Sequence, residues 1–293
     1  MSGGPDSLAL LILAHAALPD GGFAVATVDH GLRPESAAEA THVAGICGEL
    51  GIAHTTLSIA MDRGSAMQER ARDARYQALA HWCRATGLAA LVTAHHADDQ
   101  AETLIMRLNR GAGLRGLAAM RPIAQVPGDT LLPGDTLPLL RPLLGWARAS
   151  LADVVDYAGL VAIDDPSNRD IRFERARLRT HLAGAPWLDR QGLAASTGHL
   201  AEADVALDWA AAAVPIGEAD GGLALEPDLP RALALRVLER VIARLGGSTP
   251  RGRDLARWHD RLAAGDVATL GGVRGDGRAK PWRFTLAPPH RSL

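Results

Sequence analysis

The chain begins Met1-Ser2-Gly3-Gly4-Pro5-Asp6-Ser7, a turn with the composition of a phosphate cradle. Adjacent glycines permit positive φ and leave no Cβ between backbone amides and a ligand. Ser2 and Ser7 supply hydroxyls, and the apolar run Leu8 to Leu13 predicts a helix directly behind the turn. Free amides at a helix N-terminus attract phosphate or pyrophosphate. The same residues would also suit an ordinary surface turn, so the other motifs decide. A second reactive group is His95-His96-Ala97-Asp98-Asp99-Gln100-Ala101-Glu102. If a helix starts at Asp98, Asp98 and Glu102 share one face, and Asp99 lies three residues from Glu102. Acidic residues in a first turn also complement the helix dipole. Two histidines on a strand end point opposite ways, so at most one faces a pocket. With Asp29-His30, these carboxylates and imidazoles are of the types that ligate a metal ion.

The elements that must position these groups follow from hydrophobic patterning. Phe23–Asp29, His54–Ile59 and Ala89–Ala94 are apolar runs of strand length. Ser36–Leu50, Ala66–Thr86 and Asp98–Asn109 read as helices between and after them. This alternation predicts right-handed βαβ units and a parallel sheet with helices on both faces. Ligands of such sheets bind at the carboxyl ends of the strands, where Asp29-His30 and His95-His96 fall. Residues 122–140 read as a long Pro-, Gly- and Asp-rich excursion. Gly145–Tyr157 and Arg172–His181 read as further helices. Beyond Trp187 the chain becomes alanine-rich and helical over Gln191–Val214 and Pro230–Leu245, with a turn and short strands toward Leu286. The expected division is a catalytic domain over 1–187 and a smaller, mostly helical domain over 188–293.

Ser2-Gly3-Gly4-Pro5-Asp6-Ser7 resembles the SGGxDS loop of the PP-loop (N-type) ATP pyrophosphatases. Val28-Asp29-His30-Gly31-Leu32-Arg33-Pro34-Glu35-Ser36 is similar to a segment of the tRNA(Ile)-lysidine synthases in that superfamily. Their block HHxDDxxET, followed by RGxGxxGL, resembles His95–Thr103 with Arg110-Gly111-Ala112-Gly113 and Gly116-Leu117. Arg141-Pro142-Leu143-Leu144 and Asp165-Pro166-Ser167-Asn168 match in the same order. The resemblance is strong over residues 1–185 and weak beyond. It implies that ATP, with Mg²⁺, is cleaved between its α- and β-phosphates to adenylate the wobble cytidine of a CAU-anticodon tRNA(Ile), and that free L-lysine then displaces AMP. It implies ATP binding by Ser2, Gly3, Gly4, Pro5, Asp6 and Ser7. It points to lysine binding and proton handling by Asp29, Asp98 and Glu102, and to substrate or intermediate contact by Arg75 and His95. The family places an apolar strand before the glycine turn, whereas here only Met1 precedes it. The first strand is therefore expected to be missing, through an upstream start in preference to a true truncation.

Composition sets the remaining bounds. The chain has 293 residues, of which 47% are hydrophobic and 22% charged, a globular composition. No apolar stretch has the length of a membrane span, and Leu8–Ala17 lacks the basic flank of a signal peptide. A cytoplasmic enzyme is the simplest class. Cys47 and Cys83 are far apart, which disfavours zinc, iron–sulfur and disulfide frameworks and the paired-cysteine 2-thiocytidine enzymes. Net charge is −2, but arginines cluster locally. Arg110, Arg115, Arg172, Arg175 and Arg179 are the candidates for tRNA backbone contact. Trp209, Trp258 and Trp282 are the sparse aromatics of the C-terminal part. A second copy of the chain is a candidate partner. The competing readings are a metal-dependent phosphoesterase built on Asp29-His30, His95, His96 and Asp98-Asp99, and a nucleotide- or RNA-binding protein impaired in catalysis.

Overall fold

The computed structural model describes residues 1–31, 35–59, 67–128, 136–164, 170–219 and 221–288. Leu32-Arg33-Pro34, Arg169 and the Asp165–Asn168 match lie outside them. The chain forms two compact units, Met1–Ala201 and Glu202–Leu293.

The first unit runs α1 (Pro5–Ala17), β1 (Val25–Asp29), α2 (Glu35–Glu49), β2 (His54–Ser58), α3 (Met67–Ala85), β3 (Leu91–Val92) and α4 (Ala97–Asn109). It continues with α5 (Leu114–Leu117), β4 (Ile123–Gln125), β5 (Pro138–Leu140), α6 (Arg148–Tyr157), α7 (Glu174–Ala183) and the start of α8 (Arg190–Ala213). β1 pairs in parallel with β2, from Val25 opposite His54 to Asp29 opposite Ser58. β3 pairs in parallel with β5, which pairs antiparallel with β4. Among the described residues no strand precedes α1, and the Met1 amine donates to the carbonyl of Ala26 in β1.

Helices cover both faces, as the alternation of strand and helix predicts. Along β1, Val25 faces a core with Leu8, Leu11, Val43, Ile46, Leu143 and Leu151, contributed largely by α1, α2 and α6. The next residue, Ala26, faces Tyr76, Leu79 and Cys83 of α3 with Leu91 and Leu139. This period-2 switch is what a strand buried on both faces requires.

The expected 122–140 excursion contains the two short strands β4 and β5. Each is three residues long, too short for period-2 patterning to register, and β5 begins at Pro138, where no strand N–H is lost. β3 is only two residues, though Thr93 N extends its ladder to Leu140 O at 2.9 Å.

The second unit carries the expected helices and also a sheet. Its elements after α8 are β6 (Gly217–Ala219), β7 (Gly222–Leu225), α9 (Arg231–Arg244), α10 (Gly252–Ala263), β8 (Val267–Leu270), β9 (Val273–Asp276) and β10 (Trp282–Leu286). The strands form one sheet in the order β6-β7-β10-β9-β8, antiparallel throughout. Val237, Leu238, Val241 and Ile242 from α9 and Leu255, Trp258 and Leu262 from α10 pack on Phe284, whose ring lies 5.6 Å from that of Trp258. α10 adds to the helices expected from the sequence: Leu255, Trp258 and Leu262 form one buried stripe at helical spacing, and the five charged residues between Arg253 and Arg261 lie on the faces around it.

Candidate functional site

Gly4 caps α1 and Pro5 opens it, so fixed φ starts the helix where a backbone N–H is dispensable. Leu8 N donates to Gly4 O at 3.0 Å, which leaves the earlier first-turn amides of Asp6 and Ser7 without intrahelical acceptors. Gly3 has φ +71°, and a Cβ there would lie 2.5 Å from Ile163 Cδ1. Ile163 N donates to Gly3 O at 2.9 Å and locks the turn from outside. Ser7 Oγ donates to Gly4 O at 2.9 Å and lies 3.3 Å from Ser2 Oγ. The six turn residues are thus assembled as a cradle before any ligand arrives.

The acidic residues gather at the start of α4. His96 is its N-cap, and Asp99 Oδ2 accepts from the His96 amide at 3.3 Å in a capping box. The His96 ring, 1% exposed, lies 3.5 Å from Asp6 Oδ2, 3.7 Å from Asp98 Oδ2 and 3.6 Å from Asp99 Oδ2. Burial opposes its protonation, but the hydrogen bond it donates to Asp6 and the charges of Asp99, Asp6 and Asp98 outweigh burial and raise its pKa. Asp6 is itself held below the usual carboxylate range: burial works against ionisation, and His96, Arg148 and Arg179 prevail. His96 therefore joins the phosphate turn to α4.

The two aspartates of α4 have different surroundings. Asp98 accepts from Arg148 N at 3.0 Å and from Arg190 at 3.1 Å, tying the starts of α6 and α8 to α4. Asp99 and Glu102, both buried, share Arg179, which donates to Glu102 Oε1 at 2.5 Å and to Asp99 Oδ1 at 3.2 Å. Glu102 Oε2 has no hydrogen-bond partner and lies 3.9 Å from Arg175 Nε. Arg175 also donates to Thr103 Oγ1 at 3.0 Å.

Asp29 ends β1, where its Oδ1 accepts from Ser36 Oγ at 2.6 Å and from Gly31 N at 2.8 Å. These bonds, Ser36 first, hold it below the ordinary carboxylate pKa. Among the described residues no hydrogen bond or ion pair links Asp29 to the α4 acids. Arg75 lies 5.9 Å from the centroid of the Tyr76 ring, and its charge lowers the pKa of His30 behind the dominant effect of burial. Of the arginines expected to meet tRNA, Arg110 pairs with Glu174, Arg172 forms a fork on Asp170, and Arg115 is exposed. Arg175 and Arg179 instead turn their guanidinium groups to the α4 acids. Sequence reasoning weighed His96 as a metal ligand and not as the link between the turn and α4, and it overlooked Arg148 and Arg190 as site-forming residues. Only His96 left a signal, as the residue immediately before an acidic helix start.

His95 Nδ1 lies 2.9 Å from Thr93 Oγ1. Burial, opposed by Asp99 and aided by Arg141, Arg175 and Arg72, pushes its pKa from 6.5 to about 4. The native state thus keeps His95 neutral where the unfolded chain takes up a proton. Its contribution is complete above pH 6.5 and is lost as pH falls toward 4. Relative to His95→Gln, the wild-type protein should lose about 2 kcal/mol between pH 7 and pH 4.5. Urea unfolding of both proteins at the two pH values measures this, and parallel pH dependences would refute it. The opposite trend from His96 is common to both proteins and cancels.

Residues 1–185 match the PP-loop domain family. A tRNA(Ile)-lysidine synthase of Novosphingobium aromaticivorans is 58% identical, with 100% of this chain and 89% of the relative covered. One from Zymomonas mobilis subsp. mobilis is 41% identical, covering 99% of this chain and 88% of the relative. Among solved structures, the U34-tRNA thiolase NcsA of Methanococcus maripaludis superposes with a TM-score of 0.51 at 18% identity, over 69% of this chain and 71% of that one. That likeness concerns the fold alone.

Proposed function

The chain belongs to the tRNA(Ile)-lysidine synthases of the PP-loop family, and we propose from that membership how its residues divide the reaction. The enzyme ligates L-lysine to C2 of the wobble cytidine of CAU-anticodon tRNA(Ile), with ATP converted to AMP and pyrophosphate. The cytidine C2 oxygen attacks the α-phosphorus, and pyrophosphate leaves toward the Ser2–Ser7 turn. The lysine ε-amine then attacks C2, AMP departs, and the ammonium formed gives up its proton.

The first-turn amides of α1 and the Ser2 and Ser7 hydroxyls suit the β- and γ-phosphates. Mg²⁺ would accompany ATP, sharing phosphate oxygens with one or two carboxylates and neutralising phosphate charge. Asp6 fits that donor set, since its Oδ1 has no hydrogen-bond partner and sits on the turn. Among the described residues no cluster of three or more His, Cys, Asp or Glu is arranged to hold a metal ion.

Lysine presents cationic groups, and Glu102 and Asp99 are the buried carboxylates best suited to receive one. Asp98 orders the same acidic wall through Arg148 and Arg190. Asp29 stands at the end of β1 as a further proton acceptor, and His95 and Arg75 are assigned to the adenylated intermediate. Arg110, Arg115 and Arg172 are the exposed candidates for the tRNA backbone, with Arg175 and Arg179 behind them. The C-terminal part from residue 188 is assigned to gripping tRNA. No described helix is long and apolar enough to cross a membrane, and we place the enzyme in the cytoplasm with its RNA substrate.

The observation that carries this reading is the direct link Asp6–His96–Asp99, which fixes a phosphate cradle beside a buried acid pair. The test is incubation with ATP, labelled lysine and unmodified tRNA(Ile). Label should enter RNA with stoichiometric AMP and pyrophosphate. ATP breakdown without lysine incorporation would favour a phosphoesterase, and nucleotide binding without either product would favour a binding protein.

A further inference from the structure

Three guanidinium groups stand around one buried tyrosine, and among the described residues no carboxylate pairs with them. Tyr76 of α3 is 2% exposed. Arg72 and Arg75, also on α3, lie 5.1 Å and 5.9 Å from its ring centroid. Arg141, directly after β5, is 7% exposed and within interaction range of the Tyr76 hydroxyl. The Arg141 guanidinium donates from Nη1 to Arg121 O at 2.8 Å, while its Nε is buried with no partner. Among the described residues no Asp or Glu forms an ion pair with Arg72, Arg75 or Arg141. A guanidinium gains only about 0.5–1 kcal/mol from an aromatic face at an exposed site, which does not compensate three neighbouring positive charges.

The location is informative. β3 and β5 are parallel, so Arg141 and the residues following Val92 emerge at the same carboxyl edge of the sheet. The charges of Arg72 and Arg141 both act on His95 there, and Arg75 acts on His30 at the end of β1. This basic group therefore stands at the carboxyl edge of the sheet, on elements other than those of the phosphate turn.

We propose that Arg72 and Arg141, with Tyr76 as their platform and Arg75 beside them, form a second oxyanion subsite that takes a phosphodiester of the RNA substrate. The inference rests on the reaction assigned above. The nucleotide's β- and γ-phosphates already have the α1 amides, and guanidinium forks match phosphate oxygens in pairs. A wobble nucleotide drawn into the crevice brings its flanking phosphates along, and contacts to them hold the base in register. Buried Arg141 supplies a fixed donor, and exposed Arg72 can close on the ligand.

The test uses the full chain with unmodified tRNA(Ile). Arg72→Gln and Arg141→Gln should each raise the KM for tRNA about tenfold and reduce the salt dependence of tRNA binding by about one phosphate contact. The KM values for ATP and lysine should stay within about twofold. Arg72→Lys should restore the salt dependence with only partial recovery of KM, because it keeps the charge and loses the fork. A rise confined to ATP would give the subsite to the nucleotide, and one confined to lysine would give it to the amino-acid carboxylate. Either result, or unchanged tRNA binding, overturns the proposal. Should Arg141→Gln fold poorly, exposed Arg72→Gln decides alone. Direct tRNA binding is read without turnover, so a failed assignment of the reaction is distinguished by absent lysine incorporation in the wild-type protein.

Discussion

Gly3→Ala should raise the KM for ATP at least tenfold and destabilise the first unit by about 2–4 kcal/mol, combining left-handed backbone strain with overpacking. The backbone stands at φ +71°, and the new methyl would lie 2.5 Å from Ile163 Cδ1 and 3.1 Å from Val43 Cγ2. Rotation of the Ile163 δ-methyl would relieve the closest approach, but Ile163 Cγ1 at 3.2 Å and Val43 Cγ2 would still crowd the new methyl, and the left-handed backbone strain would remain. Gly4→Ala is the control with a different signature. Gly4 has φ −73°, and its added Cβ meets nothing closer than Ser2 Oγ at 3.7 Å. Its effect on stability should stay within about 1 kcal/mol, the scale of an N-cap change. It should nevertheless raise the ATP KM, because the methyl stands where a phosphate must approach the α1 amides. Thermal melting and ATP titration of both variants separate the two effects. A Gly3→Ala protein that melts and binds ATP like wild type would refute this account of the turn.

Glu102→Gln should lower lysine incorporation by about 10²–10⁴-fold while leaving most of the adenylation step intact. The substitution preserves shape and one oxygen for Arg179, which in the native protein donates to Glu102 Oε1 at 2.5 Å. What disappears is the negative charge of a buried carboxylate whose second oxygen has no hydrogen bond. A cationic amine loses its partner, whereas the α1 amides are untouched. A single-turnover experiment reads pyrophosphate release without lysine and lysine transfer when it is added. Equal losses in both steps would mean that Glu102 acts on the nucleotide as well, and unchanged transfer would remove it from the lysine site.

The parallel βαβ part of the fold was legible because its residues carry clean periods. Val25 and Ala26 face opposite cores as an apolar strand should, and the strand ends at Asp29 and His95-His96 fell at the expected edge. β4 and β5 were not legible, since three residues cannot display a period, and Arg141 consequently looked like the end of a loop. At the site, the turn and the α4 acids were readable as motifs. Their partners were not. Asp98 engages Arg148 and Arg190, which lie 50 and 92 residues further along the chain, and nothing local marks such pairs. Arg175 and Arg179 read as a basic helix face for RNA because sequence gives the spacing of charges but not the rotation of the helix. Tertiary packing turns them to Glu102, Asp99 and Thr103.

The interlock between Gly3 and Ile163 bears on how such a chain can diversify. Position 163 occupies the volume that a side chain at position 3 would need, so the two sites cannot drift independently. A combinatorial library should recover larger residues at 3 only alongside smaller ones at 163, and even then chiefly residues that tolerate a left-handed backbone.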